Sequence, residues 1–277
     1  MFSSEIFAAK KRKEILGIQL YSVRDDMMKD PSGTLKQLAD MGYKYVEHAN
    51  YINRKFYGYS ASEFKKVLDD LGLKMPSGHT VMGKQHWDAD KKDFTDAWKY
   101  TVEDAAICGQ RYVISPWLDV SMRKTIDDFK AYMDVFNKSG ELCNKSGMKF
   151  GYHNHDFELK PNKDGVVILD YLLEHLDPKY VNFGMDLYWV IKAGADPVAY
   201  FQKYPGRFKI WHVKDMDSEG RFAPVGKGTI DFKRILANKK RSGMKYFIVE
   251  QDQTYDGLQP MEAIKISKEG LKKFGFN

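Results

Sequence analysis

The sequence predicts a single (β/α)8 barrel, in which eight parallel strands alternate with helices. Short runs rich in β-branched and aromatic residues alternate with longer helical patterns along the whole chain, which is typical of parallel strands joined by crossover helices. A glycine also recurs between the end of a helical pattern and the next strand, where it can close the helix. The length of 277 residues suits one barrel of this kind.

Eight runs are predicted to form the strands, and helical patterns lie between them. The predicted strands are residues 15–21, 45–48, 74–79, 112–116, 149–155, 180–186, 208–214 and 246–250. Apolar residues recur at helical spacing in residues 35–41, 64–71, 94–107 and 129–143. No Pro- or Ser-rich linker divides the chain, so residues 14–277 are predicted to form one domain behind an extension of residues 1–13.

Five glycines repeat the same helix–glycine–strand order, namely Gly42, Gly72, Gly109, Gly147 and Gly243. This repetition indicates an internal repeat of architecture, as a barrel requires. The main competing fold is a doubly wound open sheet, which needs a glycine-rich phosphate loop after the first strand. Residues 19–24 read QLYSVR and contain no such loop, so the barrel is favoured.

Composition excludes several classes of function. The chain carries 44 basic and 38 acidic residues, and most lysines lie in helical patterns that need a solvated face. No basic stripe is interleaved with aromatic residues, so nucleic acid is not an expected partner. No stretch approaches the roughly 20 apolar residues that cross a bilayer, so a membrane association is not expected either.

The cysteines and the first residues bear on the cellular compartment. Cys108 and Cys143 lie in predicted helices without paired spacing, so both are predicted to be buried free thiols. Phe7, Ala8 and Ala9 precede a basic run and resemble the end of a secretion signal that lacks its apolar core. The cytoplasm is the default expectation, and export is expected if residues 1–13 are a signal remnant.

Polar side chains stand at the end of every predicted strand. The carboxyl ends of the strands carry the active site in barrels of this kind. These ends bear Gln19, Tyr21, Glu47, His48, His79, Ser115, Trp117, His153, Asn154, His155, Asp186, His212, Lys214, Asp215 and Glu250. Any one of them could be structural, but their joint placement predicts a functional site.

Three of the strands deliver a ligand-type side chain at the same depth, namely Asp186, His212 and Glu250. Imidazole together with carboxylate suits manganese, zinc, cobalt or iron better than calcium, so one such divalent metal is predicted. A fourth ligand is expected from the fifth strand, where His153 and His155 point to the same face. His153 is preferred, and His155 and Glu158 remain alternatives.

The chain resembles the sugar phosphate isomerase/epimerase family, the xylose-isomerase-like barrels that also include inosose dehydratases and the apurinic endonuclease barrel. The likeness covers nearly the whole chain. It rests on residues 17–24 (GIQLYSVR), 152–158 (YHNHDFE), 185–189 (MDLYW), 211–215 (WHVKD), 226–231 (GKGTID) and 249–250 (VE).

The resemblance implies a metal held by His153, Asp186, His212 and Glu250. Epimerases of this superfamily usually have a glutamate where this chain has His153, and their two glutamates exchange a proton on opposite faces of the substrate carbon. The histidine therefore puts a symmetrical epimerisation in doubt. The endonuclease activity needs a trinuclear zinc site with more ligands than these strands supply.

The predicted reaction is proton abstraction next to a carbonyl of a sugar or cyclitol, with the metal stabilising the enediolate as a Lewis acid. Return of the proton gives an isomerase or epimerase, which is the first expectation. Loss of a β-substituent gives a lyase or dehydratase, which is the alternative. A non-catalytic carbohydrate-binding barrel is the second alternative. The sequence predicts neither the sugar nor the oligomeric state.

Individual roles are assigned by side-chain chemistry. The base is expected among His155, Glu158 and Glu250. Lys214 is expected to neutralise developing negative charge, with Asp215 orienting a hydroxyl or Lys214 itself.

The substrate is expected to lie against aromatic faces and to bond polar side chains. Trp117, Trp189 and Tyr21 would provide the faces, and Gln19, Glu47 and His79 would bond the hydroxyls. Lys227 and the glycines beside it form either a phosphate grip or a plain turn.

Overall fold

The computed structural model describes residues 15–276, and eight parallel strands close into a barrel within this range. The strands are β1 (Ile15–Gln19), β2 (Tyr45–His48), β3 (Lys74–His79), β4 (Tyr112–Ser115), β5 (Lys149–His153), β6 (Val181–Asp186), β7 (Phe208–Val213) and β8 (Tyr246–Val249). Each strand pairs in parallel with its neighbours in chain order, and β8 pairs with β1. The predicted fold class is confirmed. The predicted extension, residues 1–13, lies outside the described residues.

Helices connect the strands and cover the outside of the barrel. The α-helices span Arg24–Lys29, Pro31–Asp40, Ala61–Asp70, Asp96–Ile107, Ile126–Lys145, Ile168–His175, Leu187–Lys192, Pro197–Lys203, Phe232–Leu236, Lys239–Ser242 and Pro260–Phe274. Short 3-10 helices span Leu20–Val23, Lys84–His86, Val120–Met122 and Phe157–Leu159. None of the helices within residues 15–276 is long and apolar enough to cross a membrane.

Several predicted strands end earlier in the structure. β1 ends at Gln19 because the chain turns at once into the 3-10 helix Leu20–Val23, and β5 ends at His153. The loop after β2 holds a small antiparallel sheet of Tyr51–Ile52, Lys55–Phe56 and Tyr59–Ser60. Its strands are two residues long, which is too short for a periodic signal.

The predicted role of five glycines at the ends of helices is confirmed. All five predicted closing glycines have positive φ, from 66° at Gly72 to 87° at Gly42. This left-handed conformation ends each helix and turns the chain toward the next strand. The two thiols, Cys108 and Cys143, are buried and free, also as predicted.

The inside of the barrel is apolar below the level of the polar strand ends. Ile114, Ile210 and Ile248 pack together there with Tyr246. Ile210 and Ile248 lie two residues before His212 and Glu250, so they point inward one level lower. The apolar layer closes the barrel from below and leaves the polar groups above it.

Candidate metal centre and active site

Four side chains from the ends of β5 to β8 meet inside the mouth of the barrel. They belong to His153, Asp186, His212 and Glu250, and their ligand atoms all lie within 4.8 Å of one another. All four residues are buried. The structure thus brings together the set that the resemblance implies, and places His155 and Glu158 outside it.

The donor atoms of this cluster fit a divalent metal. Both ring nitrogens of His153 are buried without a hydrogen-bond partner among the described residues. Its Nε2 lies 3.3 Å from Asp186 Oδ2, without hydrogen-bond geometry. Burial, with nearby His212, lowers the pKa of His153 to about 4, so its ring is neutral at pH 7 and can act as a ligand. Two imidazoles with two carboxylates suit zinc, manganese, cobalt or iron.

His212 stands between two carboxylates. Its Nδ1 is hydrogen-bonded to Glu250 Oε2 at 2.5 Å, and its Nε2 lies 2.7 Å from Glu47 Oε1. Burial disfavours the charged ring, but Glu47 and Glu250 outweigh it and raise the pKa of His212 to about 10. A bound cation would take over the charge that this proton now supplies.

Lys214 is a buried ammonium surrounded by three carboxylates. Its Nζ lies 2.9 Å from Asp186 Oδ2, 3.1 Å from Glu250 Oε2 and 2.8 Å from Asp252 Oδ2. Burial opposes its charge, but these carboxylates hold its pKa well above the ordinary lysine value. Lys214 borders the cavity and is therefore placed to meet a substrate oxygen.

Asp252 is a site residue that the sequence reasoning missed. It follows Glu250 by two residues, which is the only signal the sequence offers, and it lines the same cavity. Burial raises its pKa to about 7. Asp252, rather than Asp215, is the residue that fixes Lys214.

His155 lies beside the cluster. Its ring is 5.1 Å from the Trp117 ring and 5.6 Å from the Trp189 ring, and all three border the cavity. Burial, together with His153 and Lys214, lowers the pKa of His155 to about 2. Its ring is therefore neutral and only weakly basic.

Glu158 does not reach the cavity, which corrects its predicted role as a base. Its carboxylate accepts the Tyr152 hydroxyl at 2.6 Å and the His155 backbone N–H at 2.8 Å. The residue is fully buried, and burial raises its pKa to about 7. Glu158 therefore holds the chain in place as it leaves β5.

Gln19 and Glu47 are also corrections, because they do not line the cavity as predicted for substrate ligands. Both are fully buried, and Gln19 Nε2 donates to Glu47 Oε1 at 2.8 Å. Their side chains lie behind His212 and His79, on the side away from the metal cluster. His79 itself does line the cavity.

Asp215 is a third correction. Its carboxylate accepts backbone N–H groups of the following loop, including those of Gly226 at 2.8 Å and Gly228 at 2.9 Å. The side chain is buried and cannot orient a substrate. These backbone N–H groups belong to the loop that could otherwise bind a phosphate, and they are already engaged by Asp215. Lys227 of the same loop is exposed and does not line the cavity.

One large cavity of about 1220 Å³ opens above the cluster. His153 and Glu250 form part of its floor, with Lys214 and Asp252 beside them. Its walls include the predicted aromatic residues, Tyr21, Trp117 and Trp189. The wall farther out includes residues of the small antiparallel sheet and of the helix Asp96–Ile107, where Arg54 is paired with Asp104 at 2.7 Å.

Comparison with known proteins places this geometry in a family. Residues 35–274 match the model of the xylose isomerase-like TIM barrel. An inosose dehydratase from Clostridium beijerinckii is 25% identical over 274 residues, which cover 87% of this chain and 81% of that protein. A crystal structure of a sugar phosphate isomerase/epimerase from Parabacteroides distasonis is 27% identical, with a TM-score of 0.84 over 100% of this chain and 99% of that one.

A more distant structure, IOLI protein with a bound zinc atom, shares the fold. It is 16% identical, with a TM-score of 0.73 over 94% of this chain and 97% of that one. The match to the family model extends over most of the described barrel and includes all four residues of the cluster. The chain belongs to the xylose isomerase-like TIM barrel family.

Proposed function

We propose that this protein is a divalent-metal-dependent lyase that removes water from a keto sugar or cyclitol. The observation that carries the proposal is the pairing of one carboxylate, Glu250, with one buried ammonium, Lys214, on the floor of the cavity. A metal held by His153, Asp186, His212 and Glu250 would polarise the substrate carbonyl as a Lewis acid. The name of the inosose dehydratase relative supports the same reaction class.

Elimination fits the available groups better than a two-base epimerisation. Exchange of a proton between opposite faces of one carbon needs a base on each face. The fifth strand offers His153, which the metal cluster uses, and Glu158 is buried away from the cavity. Elimination needs one base and one acid, and Glu250 and Lys214 lie 3.1 Å apart on the floor of the cavity, where they can serve in these roles.

Glu250 and Lys214 together account for both protons that move in the reaction. Glu250 takes the proton from the carbon next to the carbonyl, and the electron pair forms the new carbon–carbon double bond. The β-hydroxyl leaves with a proton from Lys214, so the products are an unsaturated ketone and water. Transfer of a proton from Glu250 to Lys214 across 3.1 Å restores both groups. Asp252 holds Lys214 in place during this cycle through contacts of 2.8 and 3.0 Å.

The substrate is expected to be uncharged at its far end. Trp117 and Trp189 offer apolar ring faces above the floor of the cavity. Two arginines border the cavity: Arg54 is neutralised by Asp104 and Glu103, and Arg24 donates to the backbone carbonyls of Tyr21 and Asp252. In the loop of residues 226–231, the backbone N–H groups of Gly226 and Gly228 donate to Asp215, which favours a plain turn over a phosphate grip. The aromatic faces and the neutralised Arg54 support a substrate without phosphate.

An isomerase or epimerase is the second candidate. It is favoured by the likeness to the sugar phosphate isomerase/epimerase from Parabacteroides distasonis, whose structure matches this chain from end to end. In that case Glu250 would remove the proton and a second group on the cavity wall would return it.

Deuterium exchange separates these reactions. The protein, loaded with zinc, manganese or cobalt in turn, is incubated in D2O with keto-inositols and keto sugars, and products are followed by NMR and ultraviolet absorbance. We expect an unsaturated ketone, with elimination lost in Lys214→Met and both exchange and elimination lost in Glu250→Gln. Exchange without an unsaturated product would support the isomerase, and binding without exchange would support a non-catalytic barrel.

A further inference from the structure

We infer that Glu47 is a positioning residue that accepts the Nε2–H of His212 and so turns the Nδ1 of that ring toward the metal. The inference rests on the metal centre of the proposed function but not on the reaction that follows. It gives a role to Glu47, which is fully buried and does not line the cavity.

The two edges of the His212 ring face different surroundings. Nδ1 meets Glu250 at 2.5 Å, on the side of the four-residue cluster. Nε2 meets Glu47 Oε1 at 2.7 Å, on the opposite side. A neutral imidazole has one N–H and one lone pair, so a proton held on Nε2 leaves the lone pair on Nδ1 for a metal. Donation of the other ring proton to a carboxylate also makes a histidine a stronger ligand.

Neighbouring rings also fix the orientation of the His212 ring plane. The His79 ring stacks on His212 with a centroid distance of 5.0 Å and an interplanar angle of 8°. On another side the His153 ring lies 4.5 Å away at 60°. His212 is 1% exposed, so these contacts leave it little freedom to turn.

Glu47 is held in place by neighbours on both adjoining strands. The register places Gln19 of β1 and Ser77 of β3 directly beside it. Gln19 Nε2 donates to Glu47 Oε1, and the Ser77 hydroxyl donates to Glu47 Oε2. Gln19 cannot easily reverse its amide, because its Oε1 accepts the Tyr21 backbone N–H at 3.1 Å.

The same contacts argue against a second metal at this position. Glu47, His79 and His212 are close enough to hold one. However, both oxygens of Glu47 already accept hydrogen bonds from neutral donors, and Oε1 also lies 2.7 Å from His212 Nε2 and 3.1 Å from His79 Nε2. A metal at this position would have to displace the Gln19 and Ser77 donors, so we assign Glu47 the supporting role.

Zinc affinity tests the inference directly. Metal-free protein is titrated with Zn²⁺ against a chromophoric chelator, and Glu47→Gln is compared with the wild type. We expect Glu47→Gln to bind zinc about 10- to 100-fold more weakly. Ser77→Ala removes a hydrogen bond to the same carboxylate without touching His212, and we expect its zinc affinity to change by less than about threefold.

A second readout separates positioning from a merely structural role. NMR of the zinc-loaded protein with ¹⁵N-labelled histidine should show His212 protonated at Nε2, with a strongly hydrogen-bonded proton whose signal moves toward that of a weaker hydrogen bond in Glu47→Gln, because an amide oxygen is a weaker acceptor than a carboxylate. Thermal melting of the metal-free variants checks that they fold.

The outcomes are distinct. If the wild type binds zinc and a folded Glu47→Gln binds it equally tightly, the inference fails while the metal centre stands. If the wild type binds two zinc ions and the variant one, Glu47 is a ligand and the positioning role is wrong. If the wild type binds no zinc, the metal centre and this inference both fail.

Discussion

The two sides of His212 are built from similar residues but differ in how their polar atoms are satisfied. On the Nδ1 side, the ring nitrogens of His153 have no hydrogen-bond partner among residues 15–276, and the cluster borders the cavity. On the Nε2 side, both oxygens of Glu47 accept hydrogen bonds and the residue is fully buried. We call these the open side and the sealed side.

The comparison shows that residue type alone does not separate ligands from supports, because Glu47 is bonded by its neighbours while the ring nitrogens of His153 have no hydrogen-bond partner among the described residues. A buried polar group without a partner costs free energy, so a fold retains it where another species can complete it. The open side has this character and is suited to a metal and a substrate. On the sealed side the oxygens of Glu47 already have their partners, so Glu47 is suited to holding His212 in place.

The largest expected effect is on the open side. Glu250→Gln removes the carboxylate proposed as base and weakens one metal ligand, while keeping the size of the side chain. We expect turnover to fall about 100- to 10,000-fold, because acid–base catalysis contributes about 10²–10⁴. Product formation at saturating zinc measures it. A variant that keeps more than a tenth of wild-type turnover would remove Glu250 from the reaction.

The next effect concerns Glu158, a fully buried carboxylate outside both sides of His212, whose pKa is raised to about 7 by burial. The folded protein keeps this proton to higher pH than the unfolded chain does, so the free energy of unfolding falls as pH rises between about 4.5 and 7. A shift of this size corresponds to about 3 kcal/mol. Urea unfolding at about pH 5 and about pH 8 should show a smaller decrease in Glu158→Gln than in the wild type, and the part that remains comes from groups such as Asp252, whose pKa is also raised to about 7. An unchanged difference would show that other groups cause it.

A smaller effect is expected at the cavity wall. Trp117 is 36% exposed and contacts the ring of His155. Trp117→Ala removes an apolar face but no charged group, so we expect KM to rise about tenfold and kcat to change little. Steady-state kinetics separates the two constants. A fall in kcat alone would mean that Trp117 acts on the chemistry through His155.

The smallest effect is expected on the sealed side. Ser77→Ala deletes one hydrogen bond to Glu47 while Gln19 still donates to the same carboxylate. We expect a loss of about 1 kcal/mol in the free energy of unfolding and turnover within about threefold of wild type. A large loss of turnover with normal stability would place the sealed side in the reaction and would remove the distinction between the two sides.

The barrel could be predicted because its signals are local and repeated. Each strand has its own apolar run, and glycines such as Gly42 and Gly243 mark the ends of helices. The meeting of Asp186, His212 and Glu250 could also be predicted, since parallel strands deliver their last residues to one level.

The partners of the polar side chains could not be predicted in the same way. Asp215 is next to Lys214 in the sequence and Asp252 is 38 residues away, but the structure shows that Asp215 binds the following loop while Asp252 binds the lysine. Glu47 is expected at the substrate from its strand-end position, and Glu158 is expected as a base from its place shortly after the fifth strand. A carboxylate at a strand end gives no sign in the sequence of which hydrogen bonds already engage it.

The most direct test of the account is the metal content of the purified protein. Elemental mass spectrometry is applied to the wild type and to Asp186→Ala, with Asp215→Asn as a matched buried carboxylate outside the cluster. The account predicts about one zinc, manganese, cobalt or iron per wild-type chain, its loss in Asp186→Ala, and its retention in folded Asp215→Asn. A wild-type protein that holds no metal and cannot be loaded with one would contradict the account.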